Sequence, residues 1–294
     1  MKKLGFIPTN ITHQPTEMKK TTVLLFTALL SISVTCAFAQ TGAKGKKGKE
    51  ETTTTTTAPV ETKAIVNTAF DDAVGVFHQS LRYADFASAA YALNQIIVLR
   101  PDLKAYKDTL AYIYVELGGN VQALSVARDI LKENPNNTAI LEVSAMSQEA
   151  LGLYKEALED YKKLFKATVK PYHMYKVASM QYVLKRFGEC TASINALLKS
   201  PDADKEKISI NMERGQRQEV PMKAALYNML GMVAFEVNDI ANAKTNFNEA
   251  LKLEPNFVLA KGNLDLVTKT EAERAPKAPA TNTTPKTGTA PKKQ

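Results

Sequence analysis

The sequence predicts an all-α fold built from repeated helix pairs. Three alanines, Ala89, Ala123 and Ala157, follow one another at intervals of 34 residues. Apolar residues recur around them at the three- and four-residue spacing of one helix face. Pro101 and Pro135 each lie twelve residues after the first two alanines. A small residue and a proline that return at a fixed period indicate one structural unit repeated along the chain.

The repeated pattern is clearest in residues 224–257, where Ala243 and Pro255 restore the alanine-to-proline spacing. The positions that define the pattern there are Tyr227, Leu230, Gly231, Ala243, Phe247, Ala250, Leu251 and Pro255. This segment resembles the tetratricopeptide repeat consensus, with Tyr227 where the family has tryptophan. We expect Gly231 and Ala243 to be small because the two helices of one repeat approach closely there. Between them, Asn238 and Asp239 predict a turn and a helix N-cap.

The resemblance implies a right-handed α-solenoid of about five helix pairs, closed by a C-terminal cap helix that shields the last apolar face. The predicted folded domain is 64–275. Its repeats are predicted at about 70–103, 104–137, 138–170, 171–200 and 224–257, with the cap helix at 258–273.

The period is interrupted once, in the insert 201–222. Cys190 takes the small-residue position of the fourth repeat, yet Ala243 follows it after 53 residues instead of 34. Apolar residues alternate with polar ones in the insert, and a glycine then ends the run: Ile208, Ile210, Met212 and Gly215. The alternation predicts a short β-hairpin or an extended loop. Such an insert is either a contact surface or a tolerated surface loop.

The N-terminal segment 1–39 is predicted to be a leader with a bacterial-type signal peptide. A basic start at Met18 precedes an apolar stretch of about twelve residues and the sequence Ala37-Phe38-Ala39. Cleavage is expected between Ala39 and Gln40, which predicts a periplasmic or secreted protein. A membrane anchor is the alternative, but the stretch is too short to span a bilayer. A lipoprotein acylated at Cys36 is a second alternative.

Two polar segments flank the predicted domain. The linker 40–63 and the tail 276–294, rich in Pro, Thr and Lys, cannot bury apolar surface, so we expect both to be disordered. The net charge of +8 belongs to these segments and the leader, since residues 64–275 carry 25 basic and 26 acidic residues. A nucleic-acid partner is therefore not predicted.

No catalytic or metal-binding motif is present in the sequence. His78 and His173 stand about three repeats apart, without a paired-histidine or paired-cysteine spacing that would hold zinc. No nucleophile elbow or phosphate-binding loop occurs. Cys190 is the single cysteine after signal cleavage and is expected to be a buried small residue. We therefore predict a protein that is not an enzyme and that needs neither metal nor cofactor.

The resemblance also implies a binding surface, because the first helix of each tetratricopeptide repeat lines a concave groove. The fifth positions are Val74, Asp108, Glu142, Tyr175 and Asn228. The ninth are His78, Tyr112, Met146, Ser179 and Met232. The twelfth are Leu81, Val115, Glu149, Tyr182 and Phe235. We expect Val74, Leu81, Val115 and Phe235 to pack between repeats. The predicted partner-binding residues are Tyr112, Met146, Tyr175, Tyr182, His78, Glu149, Asn228 and Met232.

These observations predict an exported, non-enzymatic scaffold that binds a peptide or protein segment in its concave groove. Some family members bind a terminal carboxylate through lysine and asparagine, but only Lys176 and Asn228 lie near such positions here, outside that pattern. The alternatives are a structural component of a cell-envelope assembly and a cell-wall glycan-binding module. No stable membrane insertion is expected after signal cleavage. The oligomeric state and the choice between groove and insert as the main contact stay open.

Overall fold

The computed structural model describes residues 58–212 and 216–274, with side chains from residue 68 onward. These residues belong to two compact units, which divide between Glu219 and Val220. The predicted signal peptide, residues 40–57 of the predicted linker and the tail 276–294 lie outside the described residues. None of the described helices has both the length and the apolar character needed to cross a membrane.

The first unit consists of four consecutive helix pairs. The pairs are α1 (Ala58–Arg82) with α2 (Phe86–Leu99), α3 (Ala105–Glu116) with α4 (Asn120–Glu133), α5 (Thr138–Ala150) with α6 (Tyr154–Thr168), and α7 (Pro171–Val183) with α8 (Phe187–Leu198). Each helix packs against the next one in the chain, and α3 also contacts α5. The first helices of neighbouring repeats therefore lie side by side.

A 3₁₀ turn (Pro201–Asp204) and a hairpin of β1 (Lys207–Asn211) and β2 (Arg217–Pro221) follow α8. The second unit contains α9 (Met222–Glu236), α10 (Ile240–Leu253) and α11 (Val258–Arg274). Helix α10 packs against both α9 and α11. These elements confirm the predicted fold class: consecutive helix pairs, a further C-terminal helix and a short two-stranded insert. Ile208 and Ile210 are buried, as their alternation predicts, while Gly215 lies outside the described residues.

The turns within the helix pairs share one backbone conformation. One residue in each turn has a positive φ: Ala84 (56°), Gly118 (72°), Gly152 (76°), Lys185 (58°) and Asn238 (64°). This left-handed conformation ends a helix by redirecting the chain, and glycine adopts it without steric cost. The next residue begins the new helix in two pairs, where Asp85 accepts from Ser88 N and Asp239 from Asn242 N, each at 3.1 Å. The predicted N-cap at Asp239 is confirmed.

Small residues mark the places where the paired helices meet. The small-residue position is fully buried in every repeat: Ala89, Ala123, Ala157, Cys190 and Ala243. In the last repeat, a Cβ added to Gly231 would lie 2.6 Å from Cε1 of Phe247, closer than carbon atoms can approach. The expectation that Gly231 is small because its helix nearly touches the next one is therefore confirmed. Burial also raises the pKa of the Cys190 thiol to about 12, so this side chain stays protonated.

One boundary differs from the sequence interpretation. Helix α1 begins at Ala58, so 58–63 are helical although they were assigned to the disordered linker 40–63. The composition of this stretch suggested a linker because Pro59 follows a run of threonines. A proline is nevertheless well tolerated in the first turn of a helix, where its missing N–H would have no partner.

We expect Gly231→Ala to lower the free energy of unfolding by about 1–3 kcal/mol, because its methyl group must displace the ring of Phe247. Gly262→Ala is the matched control in α11, where an added Cβ meets nothing within 4 Å. That control should stabilise by about 0.5–1 kcal/mol, since alanine favours a helix more than glycine does. Urea unfolding measures both; equal effects of the two substitutions would rule out the close approach.

Candidate functional site

The first unit contains a cavity of about 370 Å³ between the first helices of the second, third and fourth repeats. Nine of its lining residues come from these helices: Tyr112, Val115 and Glu116 of α3, Glu142, Val143 and Met146 of α5, and Tyr172, Tyr175 and Lys176 of α7. Each helix contributes three of these residues, of which two are adjacent and the third lies three or four positions away. That spacing places them on one face, so the three helices form three neighbouring walls.

The hairpin provides the remaining wall. Ile208, Ser209 and Asn211 of β1 and Arg217 of β2 line the cavity. Ile208 is buried, whereas Ser209 and Arg217 are exposed. The insert that interrupts the repeat period therefore lies against the first-helix face of earlier repeats. It converts an open face into a partly enclosed cavity.

A buried ion pair joins two of the helical walls. Lys176 Nζ lies 2.9 Å from Oε1 and 3.0 Å from Oε2 of Glu149, and the two side chains are only 5% and 4% exposed. The Tyr161 hydroxyl donates a further hydrogen bond to Glu149 Oε2 at 2.8 Å. Burial alone would lower the pKa of Lys176, but Tyr172 and Glu149 outweigh burial and hold it above its usual value. Lys176 is therefore protonated, and its contact with Glu149 fixes α7 against α5.

Other polar contacts position the same helices. Asn137 caps α5 by accepting from Ile140 N at 3.2 Å, and its Nδ2 donates to Asp108 Oδ2 of α3 at 3.3 Å. On α7, His173 is buried, and its Nδ1 lies 2.7 Å from the Thr168 hydroxyl. These contacts set the relative positions of the cavity walls, because each connects a wall helix to a neighbouring segment.

The cavity tyrosines are uncharged hydrogen-bonding groups. Burial, together with the negative charges of Glu142 and Asp108, raises the pKa of Tyr112 to about 12. Burial also raises the pKa of Tyr175 to about 12, against the opposing effect of Lys176. Both phenols are therefore protonated at neutral pH. Each offers an aromatic face together with a hydroxyl that can donate or accept.

The cavity brings together three of the predicted partner-binding residues, Tyr112, Met146 and Tyr175. Val115, expected to pack between repeats, lies in the same lining while also contacting the core. No group of three or more His, Cys, Asp or Glu side chains that could hold a metal occurs within residues 58–212 and 216–274.

The structure places the other predicted residues elsewhere. Tyr182 is buried, with its ring 6.0 Å from that of Phe187, so it packs within the fourth repeat and does not reach the cavity. Glu149 is buried in the ion pair with Lys176. His78 is half-buried on α1, its ring 5.4 Å from Phe77. The prediction of a surface role for Tyr182 and Glu149 is wrong, because both side chains point into the packed interior.

The last two predicted residues belong to the second unit. Asn228 is buried and accepts a hydrogen bond from Asn263 Nδ2 of α11 at 3.0 Å. Met232 is buried on the same helix, α9. Neither side chain is presented at the surface, in contrast to the prediction.

Sequence reasoning missed several lining residues. Glu116 and Tyr172 stand at the thirteenth and second positions of their repeats, which the tetratricopeptide resemblance also assigns to the groove. Extending the mapping to those positions identifies them. Lys176 is adjacent to a mapped position. The four hairpin residues carry no such signal, because nothing in their local sequence indicates which face of the repeats they cover.

The comparisons with known proteins support the repeat fold. The sequence profile of the tetratricopeptide repeat family matches residues 224–257. No curated protein matches the chain significantly in sequence.

Solved structures resemble the chain over most of their length. YrrB, described as a TPR protein with an unusual peptide-binding site, has a TM-score of 0.53 at 12% identity, covering 70% of this chain and 97% of its own. A second structure is MamA from Desulfovibrio magneticus RS-1, from residue 41 to its end. Its TM-score is 0.52 at 13% identity, and the match covers 64% of this chain and 97% of the MamA chain. Another MamA crystal structure has a TM-score of 0.51 at 11% identity, covering 64% and 92%. The TM-scores show a shared fold, and at such low sequence identities they show the fold alone.

We expect Lys176→Met to destabilise the protein by about 3–5 kcal/mol, because it leaves the Glu149 carboxylate buried without its cation. Adding Glu149→Gln in a double variant should recover much of this loss, since no buried charge then remains unpaired. Lys132→Met is the control: its partner is Asp129, and the two side chains are 75% and 56% exposed. That surface pair should contribute less than about 1 kcal/mol. Chemical denaturation compares the three variants; similar losses for Lys176→Met and Lys132→Met would contradict a structural role for the buried pair.

Proposed function

We propose that this tetratricopeptide repeat protein is a non-enzymatic scaffold. It binds a peptide or protein segment in the cavity of the first unit. One observation carries the proposal. Tyr112, Met146 and Tyr175, from three successive repeats, line a single cavity whose fourth wall is the hairpin. A cavity of about 370 Å³ is large enough to receive side chains of a bound segment.

The chemistry of the lining suits contact with a polypeptide. The tyrosines combine large apolar faces with hydroxyl groups and lose little conformational entropy on binding. Met146 is half-buried and unbranched, so it adapts to the shape of the side chain against it. A bound segment would also meet Ser209 and Arg217 at the hairpin. The insert is therefore part of the proposed binding site.

The proposal is tested by selecting peptides from a random display library on the full chain and measuring their affinity for variants. Met146→Ala and Tyr175→Ala should each weaken binding by about 2 kcal/mol, roughly thirtyfold in Kd, if these residues anchor the segment. Tyr83→Ala is the control, because Tyr83 is 70% exposed and lies outside the cavity lining. Circular dichroism melting checks that the variants stay folded at the temperature of measurement.

Three outcomes would redirect the proposal. Selected peptides that bind all variants equally would place their site outside the cavity. Selection of no peptide, together with retention of purified cell-wall glycan fragments, would favour sugars stacked on the cavity tyrosines instead. A stable stoichiometric complex from envelope extracts, unaffected by Met146→Ala, would favour a structural role in an assembly.

We also propose that the protein is exported and that its mature form begins at Gln40. The support is the sequence of residues 18–39, with its basic start, its short apolar stretch and Ala37-Phe38-Ala39. N-terminal sequencing of the periplasmic fraction should read Gln-Thr-Gly-Ala. Ala39→Arg should block cleavage and leave the longer form in the membrane fraction, because the cleavage site requires a small residue. A lipid-modified Cys36 at the mature N-terminus would contradict the proposal.

A further inference from the structure

The charged residues of the cavity lining differ in whether they already interact closely with another group of the protein. Four line it: Glu116, Glu142, Lys176 and Arg217. Lys176 is neutralised by Glu149, at 2.9 and 3.0 Å from its two carboxylate oxygens. Arg217 already makes an interaction within the chain. The two glutamates are the remaining charged residues of the lining.

Among the described side chains, neither Glu116 nor Glu142 has a lysine or arginine as an ion-pair partner. Across residues 58–212 and 216–274, the Glu116 side chain makes no hydrogen bond or ion pair. It is half-buried, and burial raises the pKa of its carboxyl group. Glu142 has His173 Nε2 at 3.7 Å from its Oε1 as its ion partner among the described side chains. Two carboxylates, one half-buried and the other 37% exposed, therefore line the cavity without a lysine or arginine partner in the described part of the chain, so together they would attract a cation.

Aromatic rings surround the same space. Tyr112, Tyr172 and Tyr175 contribute rings from α3 and α7. The pKa of Tyr112 is raised by burial and then by Glu142 and Asp108, which shows that the negative field reaches this ring. Tyrosine rings attract cations through their negative faces, and the attraction grows when water is excluded. One such contact already exists on α7, where Lys176 Nζ lies 5.8 Å from the centroid of the Tyr172 ring.

We propose that the cavity receives the side chain of an arginine from the bound segment, with its guanidinium group between the carboxylates of Glu116 and Glu142 and against the tyrosine rings. This inference rests on the proposed function and names the chemistry of the anchor residue. Arginine fits better than lysine because its planar group stacks on rings and donates several hydrogen bonds at once. An acidic anchor would be repelled by both carboxylates, and an apolar anchor would leave them desolvated.

The direct test uses a small probe instead of an unidentified partner. Nα-acetyl-arginine methylamide is titrated into the full chain labelled with ¹³C at its methionine methyl groups, and the Met146 signal is followed by NMR. The probe should produce a saturable shift, weakened as salt is raised, because the attraction is electrostatic. The lysine derivative should bind more weakly, and the norleucine derivative more weakly still.

Variants assign the effect to the two carboxylates. Glu116→Gln and Glu142→Gln should each weaken the arginine probe by about tenfold, as expected for loss of a charged hydrogen bond. Glu156→Gln is the control, since Glu156 is exposed on α6 and does not line the cavity. Equal binding of the arginine and norleucine probes, or no saturable shift with the arginine probe, would overturn the inference.

The peptides selected by display separate this inference from the proposed function. Peptides that lose affinity in Met146→Ala and share an arginine whose replacement by norleucine abolishes binding would support both. Peptides that depend on Met146 but carry no essential basic residue would overturn the arginine anchor and leave the scaffold function standing. Peptides that ignore Met146 would count against the cavity itself.

Discussion

The close contact between the two helices of each repeat is the constraint on which the rest of the structure depends. It requires a residue without a bulky side chain at the contact, and each repeat places a fully buried small residue there. Gly231 shows how little room is left, since even a methyl group would collide with Phe247. Because side chains in a packed interior have few ways to move aside, this contact fixes how each pair is oriented. The left-handed residue in the turn between the two helices then directs the chain into the second helix of the same pair.

Regular pairing brings the first helices of successive repeats onto one face, but apolar packing alone leaves that face poorly specified. The buried pair of Glu149 and Lys176 adds a polar contact between α5 and α7, and Tyr161 completes it. A buried ion pair contributes little net stability, because desolvation offsets the attraction, so its value here lies in fixing position. It also has a chemical consequence. Lys176 is occupied by Glu149, so this lysine does not offset the carboxylates of Glu116 and Glu142 in the cavity lining.

The fold was predictable from sequence because its signals are local and repeated. The spacing of Ala89, Ala123 and Ala157, the N-cap at Asp239 and the alternation of Ile208 and Ile210 each depend on neighbouring residues, and each predicted its element correctly. The site was predictable only in part. Repeat position identified the face on which Tyr112, Met146 and Tyr175 lie. It could not show that Tyr182 and Glu149 turn inward, because their burial depends on partners such as Phe187 and Lys176 in other helices.

The hairpin explains why the remainder of the site could not be read from the repeats. A row of first helices forms an open face, which offers a long contact surface but little enclosure. Enclosure requires an element from outside the repeating unit, and the insert after α8 supplies it at a modest entropic cost, because lengthening a surface loop is inexpensive. Ser209 and Arg217 reach the cavity through a long-range placement that no local pattern encodes. The insert that interrupts the 34-residue period thus gives the chain a shaped, partly water-excluded site. The electrostatic interactions of charged groups such as Glu116 are stronger in such a site than on the open face of a regular array.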